Sequence, residues 1–353
     1  MIALTIIAFI LILGVLIFVH ELGHFIAARL VGVKVEEFGM GYPPRLFAIK
    51  RGETEYSINL FPIGGFCKLL GEEDPTAPGS LASKRPLARL FVLGAGSAMN
   101  ALLPIVLLTI AFMVPRTVIV GDVVIEQVAL GSPAQEAGIG VGDTVVSVDG
   151  APVDNIGDVI YETHLHLGSE TVYEVMDAEG NLRSVTLVPR FDPPEGQGPV
   201  GVALVMPNAT EASESYPFWE AVPKAGENLW ETFGLIRNEV KRWFVNRAPP
   251  EVTGPVGIFE LTGEASEAGP SYLIQFAAFL SLNLAIINLF PLPALDGGRI
   301  VFVILEVIRR GKRVSARTEA MVHFVGFVML IGLMLAITFY DVARVISGES
   351  LVP

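Results

Sequence analysis

Residues 2–24 read IALTIIAFILILGVLIFVHELGH, an apolar run that ends in two histidines and a glutamate. A helix of about 20 apolar residues spans the ~30 Å hydrocarbon core of a bilayer, so this stretch predicts a first transmembrane helix. No Lys or Arg precedes the run and no small-residue cleavage pattern follows it, which argues against a secretory signal peptide. The fold is therefore expected to be built on helices in a membrane.

Three further apolar runs follow, at 90–114, at 272–295 with a continuation to 308, and at 320–340. The third run contains Pro291 and Pro293, which remove backbone donors and break or kink a helix. A break at membrane depth is tolerated only where protein or a water-filled cavity satisfies the freed backbone groups. We therefore expect four transmembrane helices, with a site at the break in the third.

The composition agrees with a membrane protein. Hydrophobic residues make up 52 % of the 353 residues and charged residues 17 %, which points to lipid as the solvent. The single cysteine, Cys67, rules out an intrachain disulfide and a zinc site of paired cysteines. The net charge of −13 argues against nucleic-acid binding, which needs a basic surface.

The distribution of charge predicts an orientation. Lys and Arg are frequent in 29–89 and again in 309–317, whereas 117–270 carries 24 acidic residues against 7 basic ones. Basic loops lie on the cytoplasmic side of a membrane as a rule. We therefore expect both basic loops inside, and residues 117–270 and the chain termini outside.

Two stretches between the spans have β-sheet patterns. Glu53–Leu70 has β-branched and aromatic residues and a break at Pro62, Gly64 and Gly65, which predicts a hairpin too apolar for a free cytoplasmic loop. Residues 118–205 predict a soluble β-rich module separated by Gly, Pro and Asp turns. Its clearest predicted strands are Val123–Val128, Thr144–Val148 and Ser184–Val188.

A helical segment at 211–246 mixes aromatic residues with charges. Such a pattern is typical of an amphipathic helix at a membrane surface, and it equally fits a helix packed on the core of a soluble domain. The aromatic residues are Phe218, Trp219, Trp230, Phe233, Trp243 and Phe244.

The strongest chemical motif is His20-Glu21-Leu22-Gly23-His24, which matches H-E-x-x-H. Histidines at i and i+4 share one face of a helix and can bind one zinc ion, and the intervening glutamate lies beside the same metal as a general base. Ionisable side chains at membrane depth cost about 2.5–3.5 kcal/mol or more each and are seldom present without a function. The motif therefore predicts a catalytic metal site.

A tetrahedral catalytic zinc needs a third protein ligand. The best candidate is Asp296, directly after the proline-broken segment, although an Asp-Gly turn between two helical halves is an alternative interpretation. Asn283 and Asn288 lie in the same apolar run. Either could hydrogen-bond a substrate backbone or a neighbouring helix.

These motifs together resemble the site-2 protease family of intramembrane zinc metalloproteases. The resemblance rests on His20–His24 followed far downstream by Asn288, Pro291, Pro293 and the Leu295-Asp296-Gly297 triplet, in the same order. More narrowly, the chain resembles the bacterial regulator-of-sigma-E protease branch with one PDZ domain. It departs in having Gly96-Ser97-Ala98-Met99-Asn100 where the family commonly has a Gly-Pro pair before an Asn.

The resemblance implies roles for these residues. His20, His24 and Asp296 would bind Zn²⁺, Glu21 would be the general base, and Asn288 would contact the substrate or the developing oxyanion. The hairpin would re-enter the membrane. We further expect the substrate to be cut as an extended strand paired to an edge at Tyr56–Leu60, which makes Tyr56 and Ile58 substrate-binding candidates beside Asn283.

The soluble module resembles a PDZ domain, which binds chain ends or extended peptides on a sheet edge. The resemblance lies in Gly131-Ser132-Pro133-Ala134 and in 141–150. The expected fold is thus a polytopic α-helical membrane protein of four transmembrane helices, with a membrane-re-entrant β-hairpin and an inserted PDZ domain. The expected segments are a first transmembrane helix at 1–32, a re-entrant β region at 33–88, a second transmembrane helix at 89–116, the PDZ domain at 117–206, an amphipathic linker helix at 207–270, a third transmembrane segment at 271–310 and a fourth transmembrane helix at 318–346.

The function implied is regulated intramembrane proteolysis in a bacterial inner membrane, with the PDZ domain outside and the active site toward the cytoplasm. The partners would be the lipid bilayer and single-span membrane proteins, such as an anti-sigma factor or a remnant signal peptide. The alternative is a catalytically silent membrane scaffold with a PDZ domain. The intact set of His20, Glu21, His24 and Asp296 argues against that alternative.

Overall fold

The computed structural model describes residues 2–72, 76–246 and 253–347. The chain divides into two compact units, one formed by 1–111 with 252–353 and one by 112–251. In chain order the elements are α1 (Ile2–Leu30), β1 (Val35–Arg51), β2 (Thr54–Leu69), α2 (Pro86–Met113), β3 (Arg116–Val120), β4 (Val123–Val128), α3 (Pro133–Glu136), β5 (Thr144–Val148), β6 (Ala151–Pro152), α4 (Ile156–Leu165), β7 (Thr171–Met176), β8 (Leu182–Leu187), β9 (Val202–Val205), β10 (Thr210–Glu214), α5 (Phe218–Asn246), α6 (Pro255–Ala268), α7 (Pro270–Leu289), α8 (Asp296–Ile308) and α9 (Ala316–Ser347).

Within the described residues, four helices are long and apolar enough to cross a membrane: α1, α2, α7 and α9. The predicted break in the third apolar run is confirmed, because α7 ends at Leu289 and α8 begins at Asp296. Since α8 has 13 residues, it is only about 20 Å long and cannot span a bilayer by itself. The two prolines between α7 and α8 account for the break, because neither can donate a backbone hydrogen bond.

Helix α1 buries one face and exposes the rest, as expected for a helix that borders lipid. The side chains of its buried face recur at every fourth position, so they lie in one row along the helix. They are Ala8, Ile12, Leu16, His20, His24 and Ala28. The two histidines therefore continue the apolar packing stripe of the helix.

The hairpin predicted within Glu53–Leu70 is wrong in its bounds, because 54–69 form one long, bent strand, β2, which pairs antiparallel with the long, bent strand β1 before it. One half of β1, around Phe38, pairs with both ends of β2 at Tyr56 and Cys67. The other half, around Ile49, pairs with Tyr56 from the opposite side. Because both strands bend, the sheet contains four strand segments side by side, two from β1 and two from β2.

This arrangement corrects the prediction of a free strand edge at Tyr56–Leu60. Ser57 pairs with Gly39 on one side and Ala48 on the other, and Ile58 pairs with Met40 and Phe47. From Tyr56 to Ile58 the strand is therefore paired on both sides and offers no edge to a substrate strand. The sequence pattern could not reveal this, because bending β1 back across β2 is decided by bulges and turns and not by alternation of side chains.

The second unit is β-rich, as predicted, and two of its strands have the predicted bounds, Val123–Val128 and Thr144–Val148. The third, predicted at Ser184–Val188, lies at Leu182–Leu187. Its main sheet has the order β8-β7-β5-β4-β9, with β6 paired to β5. A core that includes Ile125, Val148, Tyr173 and Val175 lies within this unit.

The segment predicted as one amphipathic linker at 207–270 contains two helices, α5 and α6, which belong to different units. Pro255 stands at the first position of α6, where its missing N–H costs nothing. In α5, Trp219 and Trp230 are 74 % and 79 % exposed, while Ala221 and Ala225 are fully buried. Small residues and not the large aromatic ones therefore face the protein. The side chains of Trp243 and Phe244 lie outside the described residues.

Candidate active site

The three residues predicted as metal ligands lie together in the first unit. His20 Nε2 and His24 Nε2 are 3.2 Å apart, and Asp296 Oδ2 lies 3.1 Å from the first and 3.2 Å from the second. Asp296 is 272 residues from His24 in sequence. Both histidines are 8 % exposed, so the three polar atoms meet inside the protein. Among the described residues this is the one group of three or more His, Cys, Asp or Glu side chains that could hold a metal ion.

The geometry fits zinc. At zinc–ligand distances of about 2.0–2.1 Å, the ligand atoms of a tetrahedral site stand roughly 3.3 Å apart, and the three observed separations are close to this value. Two imidazoles with one carboxylate also match the ligand types of catalytic zinc sites, which keep a fourth position open. The residues present therefore fit a zinc ion.

Helix α2 supports both histidines from outside the site. The Val92 carbonyl accepts a 2.8 Å hydrogen bond from His24 Nδ1, which leaves His24 Nε2 free to bind a metal. Asn100 Nδ2 lies 3.5 Å from His20 Nδ1, and Asn100 Oδ1 has no hydrogen-bond partner among the described residues. A half-turn of this amide would let Oδ1 accept from His20 Nδ1, as carboxylates and carbonyls do for metal-bound histidines.

Two glycines let α1 and α2 come close enough for these contacts. A Cβ atom at Gly23 would collide with the carbonyl oxygen of Ala95 in α2 and would lie 2.8 Å from Met99 Cγ. A Cβ atom at Gly96 would collide with His24 Nε2 and would lie 2.8 Å from both Cε1 and Nε2 of His20. The space at Gly96 therefore belongs to the metal site itself.

Glu21 lies between the two histidines of α1, next to the end of the hairpin. A Cβ atom at Gly65 of β2 would lie 3.3 Å from Glu21 Cγ and 2.8 Å from Ile17 Cγ2. Strand β2 thus packs directly on the helix turn that carries the glutamate. The carboxylate is close enough to His20, His24 and Asp296 to interact with all three electrostatically.

Helix α8 is fixed at its far end by a buried ion pair. Glu306 accepts a hydrogen bond from Arg89 of α2, and its other carboxylate oxygen lies 3.0 Å from Arg313 Nε. Both Glu306 and Arg89 are buried, so the pair is shielded from water and from salt screening. The helix that begins with Asp296 is therefore tied to α2, the helix that also supports the histidines.

The four residues predicted to bind substrate lie in helix α7 and in strand β2. Asn283 donates a 2.9 Å hydrogen bond to the Phe279 carbonyl of its own helix, which uses one amide donor locally. Asn288 lies in the last turn of α7, eight residues before Asp296. Tyr56 and Ile58 lie in the interior segment of the sheet. Contact of these four residues with a substrate stays a prediction.

Sequence reasoning assigned no role at the site to three residues near it: Gly96, Asn100 and His323 of α9. Asn100 is fully buried inside an apolar helix, and His323 is an ionisable residue in an apolar helix. Polar residues inside transmembrane segments are usually functional, so this rule alone could have identified both. Nothing in the sequence pattern could have identified Gly96, because its importance comes from contact with α1.

The fold and the site together define a class of protein. An H-E-x-x-H helix with a distant carboxylate, on helices long enough to cross a bilayer, is the arrangement of a membrane metalloprotease.

Comparison with known proteins agrees with this class. Residues 8–333 match the model of peptidase family M50. The chain is 36 % identical to a Clostridium perfringens protein provisionally named a zinc metalloprotease, over 93 % of this chain and 95 % of that protein. It is 29 % identical to zinc metalloprotease RasP of Geobacillus kaustophilus, over 96 % and 98 % of the two chains. The chain belongs to peptidase family M50, the site-2 proteases, and is a zinc metalloprotease.

The close packing at Gly96 gives a first prediction. Gly96→Ala should lower zinc affinity by about tenfold or more, the scale of effects for residues next to metal ligands, because its methyl group would displace both imidazoles. Gly94→Ala is the matched control, since a Cβ atom there would meet nothing within 4 Å. Zinc affinity of the purified proteins, measured by chelator competition, checks this. Equal affinity in the two variants would show that Gly96 is not part of the metal site.

Proposed function

We propose that His20, His24 and Asp296 hold one catalytic Zn²⁺ and that Glu21 is the general base of peptide hydrolysis. The observation that carries this proposal is the convergence of three ligand atoms within 3.2 Å of one another, beside the glutamate. When bound, zinc supplies Lewis acidity and lowers the pKa of water at its open position to about 7.

The chain's own residues would supply the remaining chemistry. The Glu21 carboxylate takes a proton from the attacking water and returns it to the nitrogen of the departing amine. The Val92 carbonyl and the Asn100 amide hold the two imidazole rings in orientation. Burial of both histidines keeps bulk water away from the reacting atoms, which strengthens every electrostatic interaction there.

The substrates we propose are single-span membrane proteins cut by regulated intramembrane proteolysis, of the anti-sigma-factor or remnant-signal-peptide type. The support comes from the position of the site on α1. His24 is 22 residues after the start of this helix, or about 33 Å along its axis, close to the far boundary of a ~30 Å hydrocarbon core. A protein that already lies in the membrane can bring its own apolar segment to this depth.

Substitution of the general base separates a protease from a silent scaffold. Glu21→Gln should bind zinc like the wild type yet cut a labelled single-span protein at least about a hundredfold more slowly, the lower range for losing a general base. His24→Ala should lose both zinc and cleavage. The assay uses proteoliposomes with and without a zinc chelator. Wild-type cleavage by Glu21→Gln would refute the assigned base, and failure of the wild type to cut under any condition would favour the scaffold.

The orientation we propose places the basic loops and the active site on the cytoplasmic side of the bacterial inner membrane, and residues 117–270 outside. The charge asymmetry of the loops supports it. Ser169 and Ser315 are both exposed and lie in the acidic module and the basic loop respectively.

Cysteine labelling tests this orientation. In a Cys67→Ala background, a membrane-impermeant thiol reagent added to intact spheroplasts should label Ser169→Cys and spare Ser315→Cys, because only the first faces outward. Permeabilised cells should label both, which controls for reactivity. Labelling of Ser315→Cys alone in intact spheroplasts would invert the orientation.

We also propose that 117–206 is a PDZ domain that binds extended peptides or chain ends. An apolar groove runs between α4 and β9 and is lined by residues that include Ile139, Val159, Ile160, Val200 and Val202. Strand β9 ends the main sheet and pairs with β4 on one side, so a peptide could add to its other side as a further strand.

Peptide binding gives the test of this groove. A fluorescent peptide ending in a valine carboxylate should bind the full-length protein, and Ile160→Glu should weaken binding because it places a charge in the groove. Leu130→Glu is the matched control, since Leu130 is 87 % exposed and does not line the groove. An amidated peptide distinguishes chain ends from internal segments. Equal binding by both variants would place the peptide site elsewhere.

A further inference from the structure

The loop that presents Asp296 makes few hydrogen bonds of its own. It joins α7 to α8, and its two prolines have no backbone N–H. The N–H of Leu292 donates to Phe290 O at 2.7 Å, and the N–H of Leu295 donates to Leu292 O at 3.2 Å. The N–H of Ala294, two residues before the carboxylate, instead leaves the loop and donates to a side chain.

That side chain is the imidazole of His323 in α9, whose Nδ1 accepts from the Ala294 N–H at 2.9 Å. Ala294 has a φ of 75°, in the left-handed region that residues other than glycine seldom adopt. Such a conformation persists only where the surrounding structure holds it in place. The hydrogen bond to His323 of α9 is thus donated by the strained residue itself.

A second contact shows that α9 is fitted to this loop. One turn after His323, Gly326 lies so close to Pro293 that a Cβ atom there would collide with the proline ring and lie 2.9 Å from its carbonyl carbon and oxygen. The His323 ring also packs at 5.5 Å from the ring of Phe302 in α8. Helix α9 therefore contacts the loop directly before the ligand and the helix directly after it.

We propose that His323 is a positioning residue for the metal site, which holds the Ala294 backbone in its left-handed conformation and so aims Asp296 at the two histidines. The role requires a neutral imidazole with an unprotonated Nδ1, because Nδ1 accepts the hydrogen bond. The inference rests on the proposed function in one respect, the assignment of Asp296 as a zinc ligand.

Two other roles for His323 fit the structure less well. As a fourth metal ligand it would need a nitrogen near the other three ligand atoms, but the metal-binding group among the described residues contains only His20, His24 and Asp296. As a simple packing residue it would not need an acceptor at Nδ1. The polar contact with Ala294 is what distinguishes positioning from packing, and substitution can separate the two.

The test measures zinc affinity of the detergent-solubilised full-length protein by competition with a chromophoric chelator. His323→Leu keeps much of the side-chain volume but removes the acceptor, and it should weaken zinc binding by about tenfold to a hundredfold, the range for outer-shell partners of metal ligands. His323→Asn should retain near-wild-type affinity, because its Oδ1 occupies the place of Nδ1. Phe302→Leu removes the ring contact but keeps the acceptor, and should also retain affinity.

The outcomes separate this inference from the proposed function. Zinc binding by His323→Leu as tight as in the wild type, or equal losses in His323→Leu and His323→Asn, would overturn the positioning role. Absence of zinc binding in the wild type would instead overturn the ligand assignment. If His323→Leu does not fold, as judged by circular dichroism and gel filtration, His323→Gln replaces it, since its acceptor lies one methylene farther out. Weaker zinc binding by His323→Gln together with near-wild-type binding by His323→Asn would support the positioning role. Equal zinc affinities of these two variants would contradict it.

Discussion

Helices α1 and α2 approach each other closely at Gly23 and Gly96, and the geometry of the metal site depends on that contact. Because neither position carries a side chain, the backbones meet and the imidazoles lie directly on α2. The same contact brings the Val92 carbonyl and Asn100 to the outer nitrogens of the histidines. Metal-binding histidines need such partners to fix their tautomer and orientation. Helix α2 contains none of the three candidate metal ligands, yet its contacts orient the two histidines of α1.

The second requirement is a carboxylate at the same depth, which Asp296 supplies directly after the break between α7 and α8. A backbone that leaves helical geometry inside a membrane exposes donors and acceptors that lipid cannot satisfy. Here the prolines remove two donors, the loop bonds two others internally, and α9 accepts the one from Ala294. The break in the third apolar run is thus stabilised by its neighbours, and it leaves Asp296 at the beginning of a new helix that is tied to α2 by the Arg89–Glu306 pair.

The β-sheet of the first unit shows why strands are harder to predict than helices. The pattern along Glu53–Leu70 indicated a hairpin within that stretch, but the stretch is a single strand, β2, which pairs with β1. The bend in β1 places Ser57 and Ile58 between two neighbouring segments, so the sheet edge that local pattern suggested is occupied by the protein's own chain. What lies next to Glu21 is instead the far end of β2, at Gly65.

The sequence by itself determined whatever depends on local spacing. Apolar length predicted the four helices that are long enough to cross a membrane, and proline predicted the break before Asp296. The i, i+4 interval placed His20 and His24 on one face because helix geometry is regular. Only the tertiary structure decided the meeting of Asp296 with His24 across 272 residues, the contacts of Gly96, Asn100 and His323, and the pairing of Ile58 on both sides. These features arise where elements distant in sequence pack against each other, and the periodicity of one segment carries no information about the surface of its partner.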